Sequence, residues 1–231
     1  ALLMCVIFTT VFSMIAGFFM ARFKMHPFIS TMANMLIIFG LVTYATKGVS
    51  FGAIDFAIPN TFIPQIGKFP TIILWAVAAV IIVWFIWNKT TFGKNMFAVG
   101  SNPEAANVSG VSVFWTTIAV HTLAGAMYGI TGFIESARIG SNQANTGLNY
   151  ECDAIAACVI GGVSMSGGRG TVVGAFLGSI ILATIAKALP LVGISSLWQN
   201  MIKGVIILVV VVINVVLQRI ADKNALKGRE M

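Results

Sequence analysis

The sequence predicts an all-α fold, a polytopic bundle of transmembrane helices, and three observations carry that reading. Hydrophobic residues make up 58% of the 231 residues and charged residues only 9%, against about 25% charged in an ordinary globular domain. So little charge cannot cover a water-facing surface. The mean hydropathy is +0.95, and the apolar residues fall into runs long enough to cross a bilayer, whose core of about 30 Å needs a helix of about 20 residues.

In chain order, the runs predict full spans at 2–21, 28–46, 71–87, 114–133, 171–189 and 201–217. The run at 154–163 is too short for a full crossing, and it lies between Asp153 and the string SMSGGRG. It suits a broken or re-entrant segment. Backbone that is not helical at such depth is tolerated only where protein or a wet cavity surrounds it. Ala1 opens inside an apolar run with no charged leader, unlike a signal peptide. The expectation is a fragment of one transmembrane domain, 1–231, whose earlier spans precede Ala1.

Charge placement sets an expected orientation. Cytoplasmic loops are enriched in Lys and Arg. With a cytoplasmic C-terminus, Arg219, Lys223, Lys227, Arg229, Arg169, Lys89, Lys94, Arg22 and Lys24 lie inside. The outer side keeps Lys47, Lys68, Arg138 and Lys187 with Asp55, Glu135 and Glu151. This scheme needs the 154–163 segment to return the chain to the cytoplasmic side. The net charge of +7 follows from this topology and not from a nucleic-acid face, because the cations sit at span ends.

Trp75, Trp84, Trp87 and Trp198 fall near span ends, where amphipathic rings favour the interface. Gly125 and Gly129, and Gly170, Gly174 and Gly178, repeat every four residues. That spacing stacks glycines on one helical face and reads as tight helix packing. Cys5, Cys152 and Cys158 have no C-x-x-C spacing, which predicts buried inert thiols and neither a metal site nor a disulfide framework.

Between the spans ending near Trp87 and starting near Phe114 lies a long connection, about 88–113. Asn102, Pro103 and Glu104 read as an N-cap, a proline at the first helical position and an acid complementing the helix dipole. Ala105 and Ala106 continue the helix, and Gly110 ends it after about two turns. From physics alone two readings stay open: a surface helix that docks in a partner's groove, and one that merely connects two spans.

The stretch TTFGKNMFAVGSNPEAANVSG resembles the cytoplasmic segment of permease subunits of bacterial sugar ABC importers, the family that includes the ribose and galactose permeases. MHPFISTMANMLIIFG, IESARIGSNQANTGLNYECDAIAACVIGGVSMSGGRGTVVGAFLG and LWQNMIKGVIIL are similar to the same family, so the resemblance covers most of the chain. WNKTTFGKN, GSNPEAA and YECDAIAACVIGG resemble its galactose and methyl-galactoside branch. The resemblance implies a multi-pass inner-membrane permease that works as a second copy-paired subunit, a homodimer, beside a cytoplasmic ATPase and an extracytoplasmic sugar-binding protein. Gly93, Gly100, Asn102, Pro103, Glu104, Ala105, Ala106, Ser109 and Gly110 then belong to the segment that couples ATPase motion to the spans.

Other candidates keep two readings each. His121, inside a span, is either a proton relay or, preferentially, a neutral histidine bonded to a neighbouring helix. Glu135, Arg138, Glu151 and Asp153 bracket the polar string SNQANTGLNY and are either a solvated loop with ion pairs or an entrance that meets the sugar-binding protein. Asn34 interrupts an apolar run, facing either a sugar hydroxyl or another helix.

SMSGGRGT lacks the lysine of a phosphate-binding G-x-x-x-x-G-K-[ST] loop, so it reads as a glycine-rich turn. No paired carboxylates, triad or metal-ligand cluster emerges, and neither a cofactor nor an active site is expected. The leading function is alternating-access import of a monosaccharide or small glycoside driven by a separate ATPase. The alternative is an ion-coupled secondary transporter, which usually needs ionisable groups near the midplane. A membrane-embedded enzyme is weaker still.

Overall fold

A computed structural model describes residues 2–46, 67–139 and 146–193, with scattered helical positions between 198 and 216. Among these residues the fold is all-α. The chain divides into two compact units, Ala1–Gly147 and Leu148–Met231.

In the first unit, α1 (Leu2–Phe23) and α2 (Pro27–Thr46) are followed by α3 (Thr71–Lys89), two short helices α4 (Thr91–Ser101) and α5 (Pro103–Val108), and the long α6 (Val113–Ile139). The second unit holds α7 (Tyr150–Ile160) and α8 (Val172–Leu191). Helices α1, α2, α3, α6 and α8 are each long and apolar enough to cross a membrane. They match the first five predicted spans in order. The sixth, 201–217, is described only at scattered positions, each of them helical, and Lys47, Asp55, Arg219, Lys223, Lys227 and Arg229 lie outside the described residues.

The long helices bury little of themselves: in α3 no residue is buried. Leu36, Ile37, Leu74 and Ile81 face outward, a costly arrangement in water and a neutral one in lipid.

Helices α1 and α6 form the main contact of the first unit and run antiparallel. Gly129 faces Val6 and Thr9, Gly125 faces Thr10 and Ser13, and His121 lies over Gly17. Phe18 meets Phe114 edge-on at 6.0 Å. An added Cβ at Gly125 would sit 2.8 Å from the Thr10 Cα, and one at Gly129 2.6 Å from the Val6 Cα. The two backbones therefore approach as closely as glycine permits. Arg22 occupies the last turn of α1, where a cation complements the helix dipole. Pro27 then opens α2, and the buried Ser30 hydroxyl donates to the Ala16 carbonyl, tying α2 to α1.

In the second unit α7 crosses α8 through backbone. An added Cβ at Gly178 would lie 2.0 Å from the Ala157 carbonyl oxygen, and one at Gly174 2.3 Å from that of Gly161. Helix α7 ends in a Schellman turn: Val163 N–H donates to the Cys158 carbonyl and Gly162 N–H to that of Val159, with Gly162 at φ +81°. That left-handed conformation favours glycine. The SMSGGRG string closes on itself, Ser164 N–H donating to the Arg169 carbonyl.

Several expectations need correction. Gly170 does not share a face with Gly174 and Gly178; it precedes α8 at φ +152°, because Thr171 caps the helix by accepting the Gly174 N–H. Helix α6 runs past Phe133 to Ile139, so Glu135 and Arg138 are helical and not in a loop. Helix α7 begins at Tyr150, which places Glu151 and Asp153 in its first turn. Cys5 and Cys152 are exposed and Cys158 is half-buried, in place of the expected buried thiols.

Candidate functional site

The connection predicted to hold one short helix holds two. Helix α4 starts where Thr90, in extended conformation, caps it by accepting the Gly93 N–H, while the Thr90 hydroxyl donates to the Ile86 carbonyl. Gly93 is buried against the end of α3, where an added Cβ would meet the Trp87 carbonyl oxygen at 2.0 Å. Trp87 packs edge-on against Phe97 with ring centroids 5.9 Å apart. Its indole Nε1 is buried without a hydrogen-bond partner, while the residue as a whole is half-buried. Lys89 reaches back over the Trp84 ring at 5.8 Å.

Asn102 ends α4 and begins α5. Its N–H donates to the Ala98 carbonyl, and its side-chain oxygen accepts from Glu104 N–H and Ala105 N–H, both at 3.0 Å. Pro103 and Glu104 stand in the first turn, as the sequence predicts. At the far end Gly110 adopts φ +84° in a second Schellman turn, with Val111 N–H donating to the Ala106 carbonyl and Gly110 N–H to that of Asn107. The Ser109 hydroxyl donates to the Ala105 carbonyl. Helix α5 is thus held at both ends by its own residues.

Ala106 is the buried residue of α5, at 4% exposure, whereas Val108 is 90% exposed. Glu104, Ala105 and Asn107 are exposed beside it. Gly100 lies half-buried in the last turn of α4. Because Phe18 and Phe114 adjoin, Arg22, Lys24, Lys89 and Lys94 gather at the end of this unit that carries α4 and α5. At the opposite end Gly67 fits against the Ala137–Arg138 backbone. Replacing Asn102 with alanine removes both cap bonds and is expected to loosen α5 by about 1 kcal/mol. Amide hydrogen exchange at Glu104 and Ala105 should accelerate, and Asn102→Asp should restore protection.

The remaining candidates are dispersed. Asn34 lies half-buried within α2. His121 bonds the Thr117 carbonyl of its own helix at 3.0 Å, correcting the expected bond to a neighbour: the helix one turn back supplies the acceptor, and the opposing Gly17 offers only its missing side chain. Arg138 and Glu135 form a two-point ion pair one turn apart on α6. Asp153 belongs to the other unit. An open groove of about 570 Å³ between α1, α3, α4 and α6 is lined by Thr10, Ile86, Phe92, Trp115, Ile118 and Thr122, among others. Its walls are almost wholly apolar and offer few partners for sugar hydroxyls. Among the described residues no group of three or more potential metal ligands occurs.

Residues 1–211 match the family described as the branched-chain amino acid transport system permease component. The chain belongs to this permease family. It is 46% identical over 212 residues to a galactose/methyl galactoside import permease of Treponema pallidum (strain Nichols), covering 88% of this chain and 40% of that protein. The corresponding permease of Escherichia coli (strain K12) is 40% identical over 225 residues, 92% of this chain and 65% of its own length. The ribose import permease of Bacillus subtilis (strain 168) is 36% identical over 203 residues, 86% of this chain and 62% of that protein. The chain thus spans 40 to 65% of the length of these relatives. No solved structure matches it significantly. The family match runs across both compact units, and with five membrane-length helices the protein is a multi-pass membrane protein.

Sequence reading alone missed Gly17, Gly161, Thr90 and the Trp87–Phe97 contact. Thr90 carried a legible signal, a threonine in N-cap position before a helical run. Gly17 and Gly161 carried none, since their role depends on what lies opposite.

Proposed function

We propose that this chain is the membrane-spanning permease subunit of an ATP-driven importer, a single permease domain that passes galactose, methyl galactoside or a close relative across a bacterial inner membrane by alternating access. The observation that carries this reading is α5: a doubly capped helix outside the spans, exposed on every face but one, with Val108 open to solvent. An isolated helix this short gains little from its own hydrogen bonds, so its rigid caps and exposed apolar residue suit a surface built to be gripped by another protein.

A cytoplasmic ATPase subunit seats on α5, and the chain pairs with a second copy of itself. An extracytoplasmic sugar-binding protein delivers the substrate. Nucleotide hydrolysis belongs to the ATPase. The C-terminus is cytoplasmic, on the side that carries Arg22, Lys24, Lys89 and Lys94, in accord with the bias of inner loops toward cations. Support for this mode over ion coupling comes from the acids: Glu104, Glu135, Glu151 and Asp153 all stand at helix ends.

A cysteine placed at Ala105 in the full-length protein is expected to crosslink an ATPase subunit in native membranes. Glu104→Lys should lower that crosslinking and the stimulated hydrolysis while membrane insertion is unchanged. Transport that persists with no ATPase attached, and that collapses with an uncoupler while ATP stays high, would sink the proposal.

A further inference from the structure

Helix α5 meets the rest of its unit chiefly through α4, which it follows directly, and through the buried Ala106. Helix α4 is locked to the end of α3 by three separate features. The Thr90 hydroxyl bridges the two helices by donating to Ile86 and accepting from Gly93. Gly93 seats its backbone directly on the Trp87 carbonyl, where an added Cβ would stand 2.0 Å from the oxygen. Trp87 and Phe97 close the inside of the bend with rings at 86° to one another. The Trp87 N–H is sealed there without a partner, so this contact holds by packing alone.

We infer that Trp87, Gly93 and Phe97 form a rigid elbow that makes α3 and α4 one bent lever, so that displacement of α5 by the ATPase is delivered into the α3 span. The inference rests on the proposed role of α5 as the ATPase seat. These are positioning residues, and they touch neither sugar nor nucleotide. Coupling between distant sites needs elements that move as units. A close-packed joint with no room for a methyl group is stiff in that sense. Helix α5 itself adjoins α4 across a single capping residue, Asn102.

The test uses the full transporter reconstituted with its ATPase and binding protein, with sugar uptake and ATP hydrolysis measured together. Phe97→Ala opens the bend without touching its backbone, and Gly93→Ala forces α4 away from Trp87. Both variants are expected to keep the ATPase attached and hydrolysing while sugar imported per ATP falls about tenfold. Gly132→Ala, whose added Cβ meets nothing within 4 Å and lies outside the elbow, should keep the wild-type ratio.

An unchanged ratio in Phe97→Ala overturns the elbow. So does an equal fall of uptake and hydrolysis, which marks a joint of structural value only. If Gly93→Ala fails to assemble, Phe97→Ala with its Gly132→Ala control decides the matter alone. If no ATPase attaches to the wild-type protein, the parent proposal fails and the elbow's coupling role falls with it, an outcome distinct from an unchanged ratio with the ATPase in place.

Discussion

Replacing Gly178 with alanine is expected to force α7 and α8 apart and to abolish uptake. The added methyl carbon would lie 2.0 Å from the Ala157 carbonyl oxygen, 2.7 Å from the Gly161 nitrogen and 3.0 Å from its Cα. All three neighbours are backbone, so no side chain can rotate away and the helices themselves must shift. Overpacking of this kind costs about 1–3 kcal/mol, occasionally more. Because α7 has only 11 residues, it has few other contacts to offset the loss.

Cysteines placed on facing positions of α7 and α8 would report the separation as slower disulfide formation, and a lower midpoint of thermal unfolding in detergent would accompany it. Gly178→Ala with unchanged crosslinking and unchanged unfolding would show that the crossing is looser than these distances state.

The double replacement Gly125→Leu with Gly129→Leu is expected to be comparably damaging in the first unit. An added Cβ at Gly129 would lie 2.5 Å from Thr9 Oγ1 and 2.6 Å from Val6 Cα, and one at Gly125 2.7 Å from Ser13 Cβ and 2.8 Å from Thr10 Cα. The two sites share one face of α6 and strain the same contact with α1, so their effects will not simply add. Opening that contact also displaces His121 from Gly17 and Phe114 from Phe18.

Gly132→Leu supplies the control on the same helix, since nothing lies within 4 Å of its added Cβ. Yield and unfolding midpoint should be near wild type for Gly132→Leu and much reduced for the double variant. Equal behaviour of the two would remove the α1–α6 packing from the account.

Much of the fold was legible because its causes are local. A run of apolar residues as long as the bilayer is thick becomes a helix wherever it sits, since backbone groups in lipid must be satisfied within the segment. The caps of α5 were equally readable, because Asn102, Pro103, Glu104 and Gly110 act on backbone groups a few residues away. Helix α4 was less readable: it is short, its Thr90 cap was overlooked, and its position depends on Gly93 meeting Trp87.

The candidate pathway residues were the least legible. His121 and Asn34 are polar interruptions in apolar runs, and such interruptions arise for helix contacts as readily as for substrate. Whether Gly170 belongs with Gly174 and Gly178 also escaped the pattern. The four-residue spacing continues through it, but Thr171 takes the cap and leaves Gly170 in the turn.

The sequence by itself therefore determined that this is a membrane protein, where its five described spans lie, that 154–163 is too short to be one of them, and that a capped helix stands outside them. Run length, charge and capping are properties of neighbouring residues, and the bilayer reads them directly. Only the tertiary structure decided which glycines face which backbones, that α1 pairs with α6 and α7 with α8, and that Trp87 is packed inside an elbow. In lipid an apolar side chain gains as much from an acyl tail as from another helix. Hydrophobicity thus carries no information about partners, which are chosen by the close fit of shapes far apart in the chain.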